Sequence, residues 1–191
     1  ARLNEENLKI ALRELGEEDP ITLKVMSNLA VALGEMNNKE DRERAFDLSE
    51  KAYRLRAKVL GEAHPDTIES LQNFAYAQFY RSGKNKAVEL FEKARDLSYI
   101  AFGKKHMTTL EIMKNLAYVY IELKRGQDAI EINREVWERY KELLGEENPK
   151  TLSARFALGK SYIEGGEMKK AYELFKKLLP VQVKVLGEED S

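Results

Sequence analysis

Along most of the chain, apolar residues recur at intervals of three and four, the period of a helix that buries one stripe. Leu23, Met26, Leu29, Ala30 and Leu33 follow this period, and Leu110, Met113, Leu116, Ala117 and Tyr120 follow it again. Start signals precede such stripes. Asp19-Pro20, His64-Pro65 and Asn148-Pro149 put proline at the first helical position, with a capping-type residue before it in two of the three. A second helix follows each of these. It begins near a recurring alanine and runs about 16 residues to a glycine that fits a left-handed C-terminal cap.

These signals repeat as a block. Leu15-Gly16-Glu17-Glu18 returns as Leu60-Gly61-Glu62-Ala63, Phe102-Gly103-Lys104-Lys105, Leu144-Gly145-Glu146-Glu147 and Leu186-Gly187-Glu188-Glu189. The glycines stand 45 residues apart at the first step and 42 at the next three. The alanines that open Ala45-Phe46-Asp47-Leu48, Ala87-Val88-Glu89-Leu90, Ala129-Ile130-Glu131-Ile132 and Ala171-Tyr172-Glu173-Leu174 keep a spacing of 42 throughout. Thr22, Thr67, Thr109 and Thr151 each lie six residues after their glycine. The extra three residues fall between Ala30 and Ala45, which are 15 apart where Ala75 and Ala87 are 12 apart. That places the insertion around Gly34–Asp41, in a polar stretch where a turn between helices absorbs length at little cost. Arg2–Leu15 aligns with Phe46–Leu60, so the chain opens on the second helix of an incomplete repeat. The expected organisation is a single array: a lone helix over 1–16, then repeats at 17–61, 62–103, 104–145 and 146–187, nine helices in all. Neither end carries an obvious polar capping helix, which predicts end-to-end association.

Composition narrows the chemistry. The 32 basic and 33 acidic residues nearly cancel, which leaves no global field to hold nucleic acid or an anionic membrane surface. With no cysteine, disulfides, thiolate metal sites and a cysteine nucleophile are excluded. Only His64 and His106 are histidines; they occupy equivalent positions in adjacent repeats, read as helix-start residues, and lack the spacing of a metal site. No apolar run approaches the ~20 residues of a membrane span. The N-terminus has neither an initiator methionine nor a signal-type apolar core, so the chain reads as a piece of a longer protein with a cytoplasmic location. Trp137 shares a helical stripe with Ile132, Val136 and Leu144 and reads as packing. Pro180 falls mid-helix, where it removes a backbone bond and predicts a kink. Paired acids such as Glu17-Glu18 sit near helix starts, where the dipole favours them, and are not a catalytic dyad.

The pattern resembles a tetratricopeptide repeat, in the 42-residue variety of kinesin light chains. Residues 60–75, from Leu60-Gly61 through His64-Pro65 and Thr67 to Asn73-Phe74-Ala75, carry the likeness most fully, and it extends over essentially the whole chain. A HEAT-type array has a similar period, but the small residue 12 before the marker alanine favours the tetratricopeptide reading. The resemblance implies an all-α, right-handed superhelical solenoid of helix-turn-helix repeats, without cofactor, metal or catalytic residues. It implies a scaffold that holds a protein or peptide in its concave groove. The departures are Ala157-Leu158-Gly159 in the fourth repeat, His106-Met107 in the third, and Arg155 where Met26, Leu71 and Met113 stand elsewhere.

In that family the first helix of each pair lines the concave face. The residue before the packed Leu-Ala pair then points into the groove: Asn28, Asn73 and Asn115. A side-chain amide offers two donors and an acceptor and suits a peptide backbone of any sequence. The alternative is that these amides bond neighbouring helices. Farther along the face come Tyr76, Phe79, Tyr80 and Tyr118, an aromatic patch that would anchor a ligand or else pack between helices. Gln72, Lys114 and Lys160 complete the candidate set, able to read side chains or a carboxylate. Acids on the same face, such as Glu69 and Glu111, leave the charge of the ligand open. A chaperone-tail carboxylate clamp is not expected, since only Asn73 or Asn115 and Lys114 could contribute. Two further readings stand beside the peptide scaffold. One is a sensor or regulatory array of a larger signalling ATPase; the other is a structural segment that assembles through its open ends.

Overall fold

The computed structural model describes residues 2–36, 38–81 and 84–187. Among these residues nine α-helices follow one another with no strand. They are α1 (Arg2–Glu14), α2 (Pro20–Gly34), α3 (Lys39–Leu60), α4 (Pro65–Arg81), α5 (Lys84–Ala101), α6 (Met107–Glu122), α7 (Gly126–Leu144), α8 (Pro149–Glu164) and α9 (Met168–Gly187). The chain divides into two compact units, residues 1–104 with α1–α5 and residues 105–191 with α6–α9. In the first unit α2 packs against α1, α3 and α4, and α4 against α3 and α5; in the second α7 lies against α6 and α8, and α8 against α9. The last return of the Leu-Gly-Glu-Glu marker runs into 188–191, outside the described residues.

Local chemistry explains the helix starts. The Asp19 carboxylate accepts the Ile21 N–H at 2.8 Å and the Asn148 side chain accepts the Lys150 N–H at 2.9 Å. The two histidines take the same role through Nδ1, which accepts the Asp66 N–H at His64 and the Thr108 N–H at His106, both at 3.2 Å. The ends differ from expectation. Gly16, Gly61, Gly103 and Gly145 do have φ between 85° and 90°, but ψ is 157° at Gly61 and 168° at Gly145. That is the extended region open almost only to glycine, not the left-handed helical cap. The Gly61 N–H still closes a helical bond to the Ala57 carbonyl at 3.1 Å, and the chain then leaves extended, because the cap of the next helix is only three residues on.

The second helices start earlier than the marker alanines suggested. α5, α7 and α9 begin three residues before Ala87, Ala129 and Ala171, and α3 begins six before Ala45. The three inserted residues therefore become an extra turn of α3, capped by Asn38 accepting the Asp41 N–H at 2.8 Å, and not a longer loop.

The helices meet on small residues. Ala30, Ala75, Ala117 and Gly159 on the first helices and Ala45, Ala87, Ala129 and Ala171 on the second are all buried, with Leu29, Phe74, Leu116 and Leu158 beside them. The recurring threonines are buried completely or nearly so, and the hydroxyls of Thr22, Thr67 and Thr151 have no hydrogen-bond partner. Between pairs the contacts are aromatic in the first unit: Phe74 of α4 meets Phe46 and Tyr53 of α3 at centroid distances of 5.3 and 6.1 Å. In the second unit Ile130, Leu158, Tyr162 and Ala171 form one core cluster, with Trp137, Leu174 and Phe175 packed on it.

Two departures in the fourth repeat have steric causes. A Cβ at Gly159 would stand 2.4 Å from the Phe175 ring, so the large residue on α9 takes the room that alanine fills elsewhere. Arg155 is half-buried and sets its guanidinium 5.7 Å from the centre of the Trp137 ring, a cation–π contact in place of methionine packing. α9 continues through Pro180. Its Leu178 is buried, and Leu174 and Phe175 pack against the cluster formed by Ile130, Leu158, Tyr162 and Ala171. The apolar stripe α9 exposes is Met168, Tyr172, Leu179 and Val183.

One ion pair recurs with a change of sign. Three residues before the marker glycine, Lys58 and Lys184 pair with Glu18 and Glu147, each two residues after a marker glycine. At the same positions Glu142 meets Lys105 at 3.3 Å, the charges exchanged, while Ile100 and Ala63 hold the places without charge.

Gly159→Ala is expected to destabilise the protein by about 1–3 kcal/mol through overpacking. Adding Phe175→Leu should recover most of that loss, since it removes the ring the new methyl meets. Chemical denaturation of the two single variants and the double variant measures the coupling.

Candidate functional site

In the first unit, α2 and α4 bring four of the predicted residues to two adjoining cavities. One, of about 780 Å³, is lined by Lys24, Ser27, Asn28 and Ile21 of α2, by Arg56 of α3, and by Glu69 and Asn73 of α4 among others. The other, of about 530 Å³, lies between α2, α3 and α4, with Tyr76 and Tyr80 on one wall. Val31, Glu35 and Asn73 border both. The period of α4 explains the gathering: Asn73, Tyr76 and Tyr80 are spaced three and four apart and share a face.

The remaining residues fall differently. Gln72 is half-buried and lines neither cavity. Phe79 is buried, with its ring edge-on to Tyr80 at 5.2 Å and the Lys84 ammonium 5.5 Å from its centre. Tyr76 is half-buried and meets Phe91 of α5 edge-on at 5.0 Å. In the second unit Asn115 is half-buried on α6, Tyr118 is exposed one turn on, and Lys160 is exposed on α8. Lys114 is held by Glu111 one turn earlier at 2.9 Å.

Arg56 lines the larger cavity, which periodicity did not reveal. Only 4% of it is exposed, and its Nη1 donates to the Asp66 carbonyl at 2.8 Å and to the Ser70 hydroxyl at 2.7 Å. The Glu69 carboxylate lies 3.9 Å away. Its signal was an arginine at the second-helix position where Ser98 and Tyr140 are both buried. Ser27 lies at the base of the same cavity, buried, with its hydroxyl unpartnered.

Glu111 is the hub of the second unit. It accepts the Tyr140 hydroxyl at 2.7 Å and the Lys114 ammonium, and Lys150 of α8 approaches to 3.6 Å. Burial would raise the Glu111 carboxyl, but the hydrogen bonds from Lys114 and Tyr140 and the charge of Lys150 outweigh it and hold the group below the ordinary carboxylate range. Tyr140 moves the other way: burial, then its bond to the Glu111 carboxylate, raises its phenol.

The tetratricopeptide-repeat family model matches residues 33–100 and 101–182. The chain is a tetratricopeptide repeat protein. Two solved structures of TPR-like repeats named as a kinesin light chain of Podosopora anserina, one of them a point variant, are similar in both sequence and fold. The variant is 25% identical with a TM-score of 0.86, covering 97% of this chain and 86% of that one. The other is 26% identical with a TM-score of 0.84, covering 96% and 85%. BtubC (BKLC) from P. vanneervenii shares the fold at 18% identity, with a TM-score of 0.82 over 97% of this chain and 73% of that one. No curated protein sequence matches. The all-α helical-repeat solenoid class and the kinesin-light-chain-like variety are thus those expected from the repeat. Tetratricopeptide repeats are in general protein-interaction scaffolds, and no helix among the described residues is long and apolar enough to cross a membrane.

The folded-state carboxyl of Glu111 lies below its unfolded value. Unfolding therefore takes up a proton there, and the stability it lends is present above the ordinary carboxylate range and lost on acidification through it. Glu111→Gln should lower the urea midpoint at pH ~7 and flatten its fall between roughly pH 5 and pH 3. Paired titrations of the variant and the parent protein measure both effects.

Proposed function

We propose that this chain is a non-catalytic scaffold whose first helices hold an extended segment of a partner protein. Its repeats span 17–61, 62–103, 104–145 and 146–187 after the second helix of a further repeat at 1–16. The observation that carries the reading is the pair of adjoining cavities that meet at Asn73. One is lined by Asn28 with the charged Lys24, Arg56 and Glu69; the other is walled by Tyr76 and Tyr80. An extended backbone satisfied by side-chain amides, with side chains alternating into unlike neighbouring sites, fits such a surface. Asn115, Tyr118 and Lys160 offer the same kinds of group in the second unit, as do Lys114, once Glu111 releases it, and Gln72 in the first. The kinesin-light-chain-like relatives support a scaffold and leave the partner's identity open.

Self-association is a second reading, favoured by the stripe on α9. Met168, Tyr172, Leu179 and Val183 are each more than 60% exposed, and contiguous apolar surface of this kind promotes contact between chains.

Each reading has its own test. A peptide-library pull-down supplies a ligand and calorimetry measures it. Asn73→Ala should weaken binding several-fold, since one hydrogen bond contributes roughly 0.5–1.5 kcal/mol. Tyr80→Ala should cost more, about 2 kcal/mol for an aromatic anchor, while Lys93→Ala, on α5, should be neutral. Normal binding by Asn73→Ala and Tyr80→Ala together, with melting unchanged, would remove these residues from the site. For self-association, light scattering should show a mass that rises with concentration and a Tyr172→Glu variant that stays monomeric. A mass that is constant and equal in both would dismiss this second reading.

A further inference from the structure

We infer that the outer face of α9 docks an amphipathic helix of a partner protein, one that presents a bulky apolar residue with acidic residues one and two turns after it. The inference does not depend on the groove, and it competes with self-association for the same stripe.

The repeat indicates what such a face takes. Tyr172 and Leu179 of α9 stand 42 residues after Ile130 and Trp137 of α7 and 126 after Phe46 and Tyr53 of α3. Phe46 and Tyr53 receive Phe74 of α4, at centroid distances of 5.3 and 6.1 Å. Ile130 packs with Leu158 of α8, which stands where α4 has Phe74, and Trp137 lies on the same cluster. At both places the following first helix covers the pair with a large apolar residue. On α9 the pair is exposed, with Met168 and Val183 also exposed along the helix.

Charge selects the occupant further. The chain as a whole is balanced, but α9 carries five lysines and one glutamate. Two of them, Lys169 and Lys176, are exposed at positions whose counterparts reach the following first helix. Glu43 and Gln127, in the place of Lys169, meet Arg81 at the end of α4 and the Gly165 carbonyl just after α8, at 2.6 and 3.3 Å. Arg134, in the place of Lys176, meets the Tyr162 hydroxyl of α8 at 3.5 Å. A helix docked on α9 in the same manner sets two of its residues against these ammonium groups, which favours acids there. The first helices of this chain never carry an acid at either place, from Leu33 and Met36 in the first repeat to Tyr162 and Gly165 in the fourth. Nor has a second copy a free helix to offer in α2, α4 or α8, each of which lies against two second helices. The stripe and its lysines therefore fit an acidic helix foreign to this array, bound by its apolar face.

The probe is a helix-stapled synthetic peptide copying residues 65–81 with Gln78→Glu and Arg81→Glu, so that Phe74 meets the stripe and the two acids meet the lysines. Fluorescence anisotropy follows its binding to the full 191-residue chain. Tyr172→Glu should weaken binding about tenfold or more, the scale of a lost anchor. The same peptide without the two substitutions should bind several-fold more weakly, the scale of exposed charge pairs. Lys169→Glu with Lys176→Glu in the protein should reverse that order, with melting unchanged. If Tyr172→Glu failed to fold, the reversal of order carries the test alone. Absence of binding, binding undiminished in folded Tyr172→Glu, or an order of peptides that the lysine reversal leaves unchanged overturns the inference. So does a mass that rises with concentration and that excess peptide leaves untouched, which gives the stripe to a second copy. Capture of the chain by phosphatidylserine vesicles that the peptide does not displace gives it to a lipid surface and likewise overturns the inference. Asn73→Ala should bind the peptide normally, which separates this face from the groove.

Discussion

Every other feature of this protein depends on how closely two helices can approach. Ala30 faces one side of the first contact and Ala45 the other, and the pattern returns as Ala75 with Ala87, Ala117 with Ala129, and Gly159 with Ala171. Helix axes separate or close according to the side chains at the crossing, and interiors tolerate little excess volume. With small residues fixed at the crossing, the larger neighbours Leu29, Phe74, Leu116 and Leu158 are driven into the layer between helices. On the opposite side of the first helices Asn28, Tyr80 and Tyr118 are exposed.

The two units differ here. In the first, α2 and α4 border two cavities that meet at Asn73. In the second, Glu111, at the position of Glu69, draws in Lys114, Tyr140 and Lys150. A carboxylate that already holds two ammonium groups and a phenol must give them up before a ligand can use them, so the same kind of surface is open in one unit and self-satisfied in the other.

Much of the architecture was legible in the sequence because it is set by local rules repeated several times. Proline at Pro20, Pro65 and Pro149, the marker glycines and the three-four apolar spacing located nine helices within a few residues. What was hidden depends on atoms distant in sequence. The φ of Gly61 was foreseeable from glycine alone, but its ψ is set by where the next helix begins. The insertion read as loop because it is polar, yet Asn38 caps it into helix. Gly159 looked like a weakened repeat until Phe175 was found in its space. Among site residues, Asn28, Asn73, Tyr76 and Tyr80 line the two cavities of the first unit. Phe79 turned inward because its position on α4 falls toward the core side of Tyr80. Lys114 carried no sequence mark of its capture beyond a glutamate three residues before it, and Arg56 sat on a helix not expected to border the cavity it lines.

The exchanged ion pair has a bearing on how such a chain can be rearranged. Repeats this alike offer themselves to unequal recombination, in which the loop of one copy is joined to the helix of another. A crossover that set the Lys105 loop beside the helix bearing Lys58 or Lys184 would oppose two cations, and one that set the Glu18 or Glu147 loop beside Glu142 would oppose two anions. A single exposed pair is worth no more than about 1 kcal/mol, too little to forbid a hybrid. Its value is informational: where the apolar faces of the copies are interchangeable, the sign of this pair is a parity mark that tells one neighbour from another. Hybrids that preserve parity would inherit a neutral junction, and those that break it would begin with a handicap that later substitutions must erase.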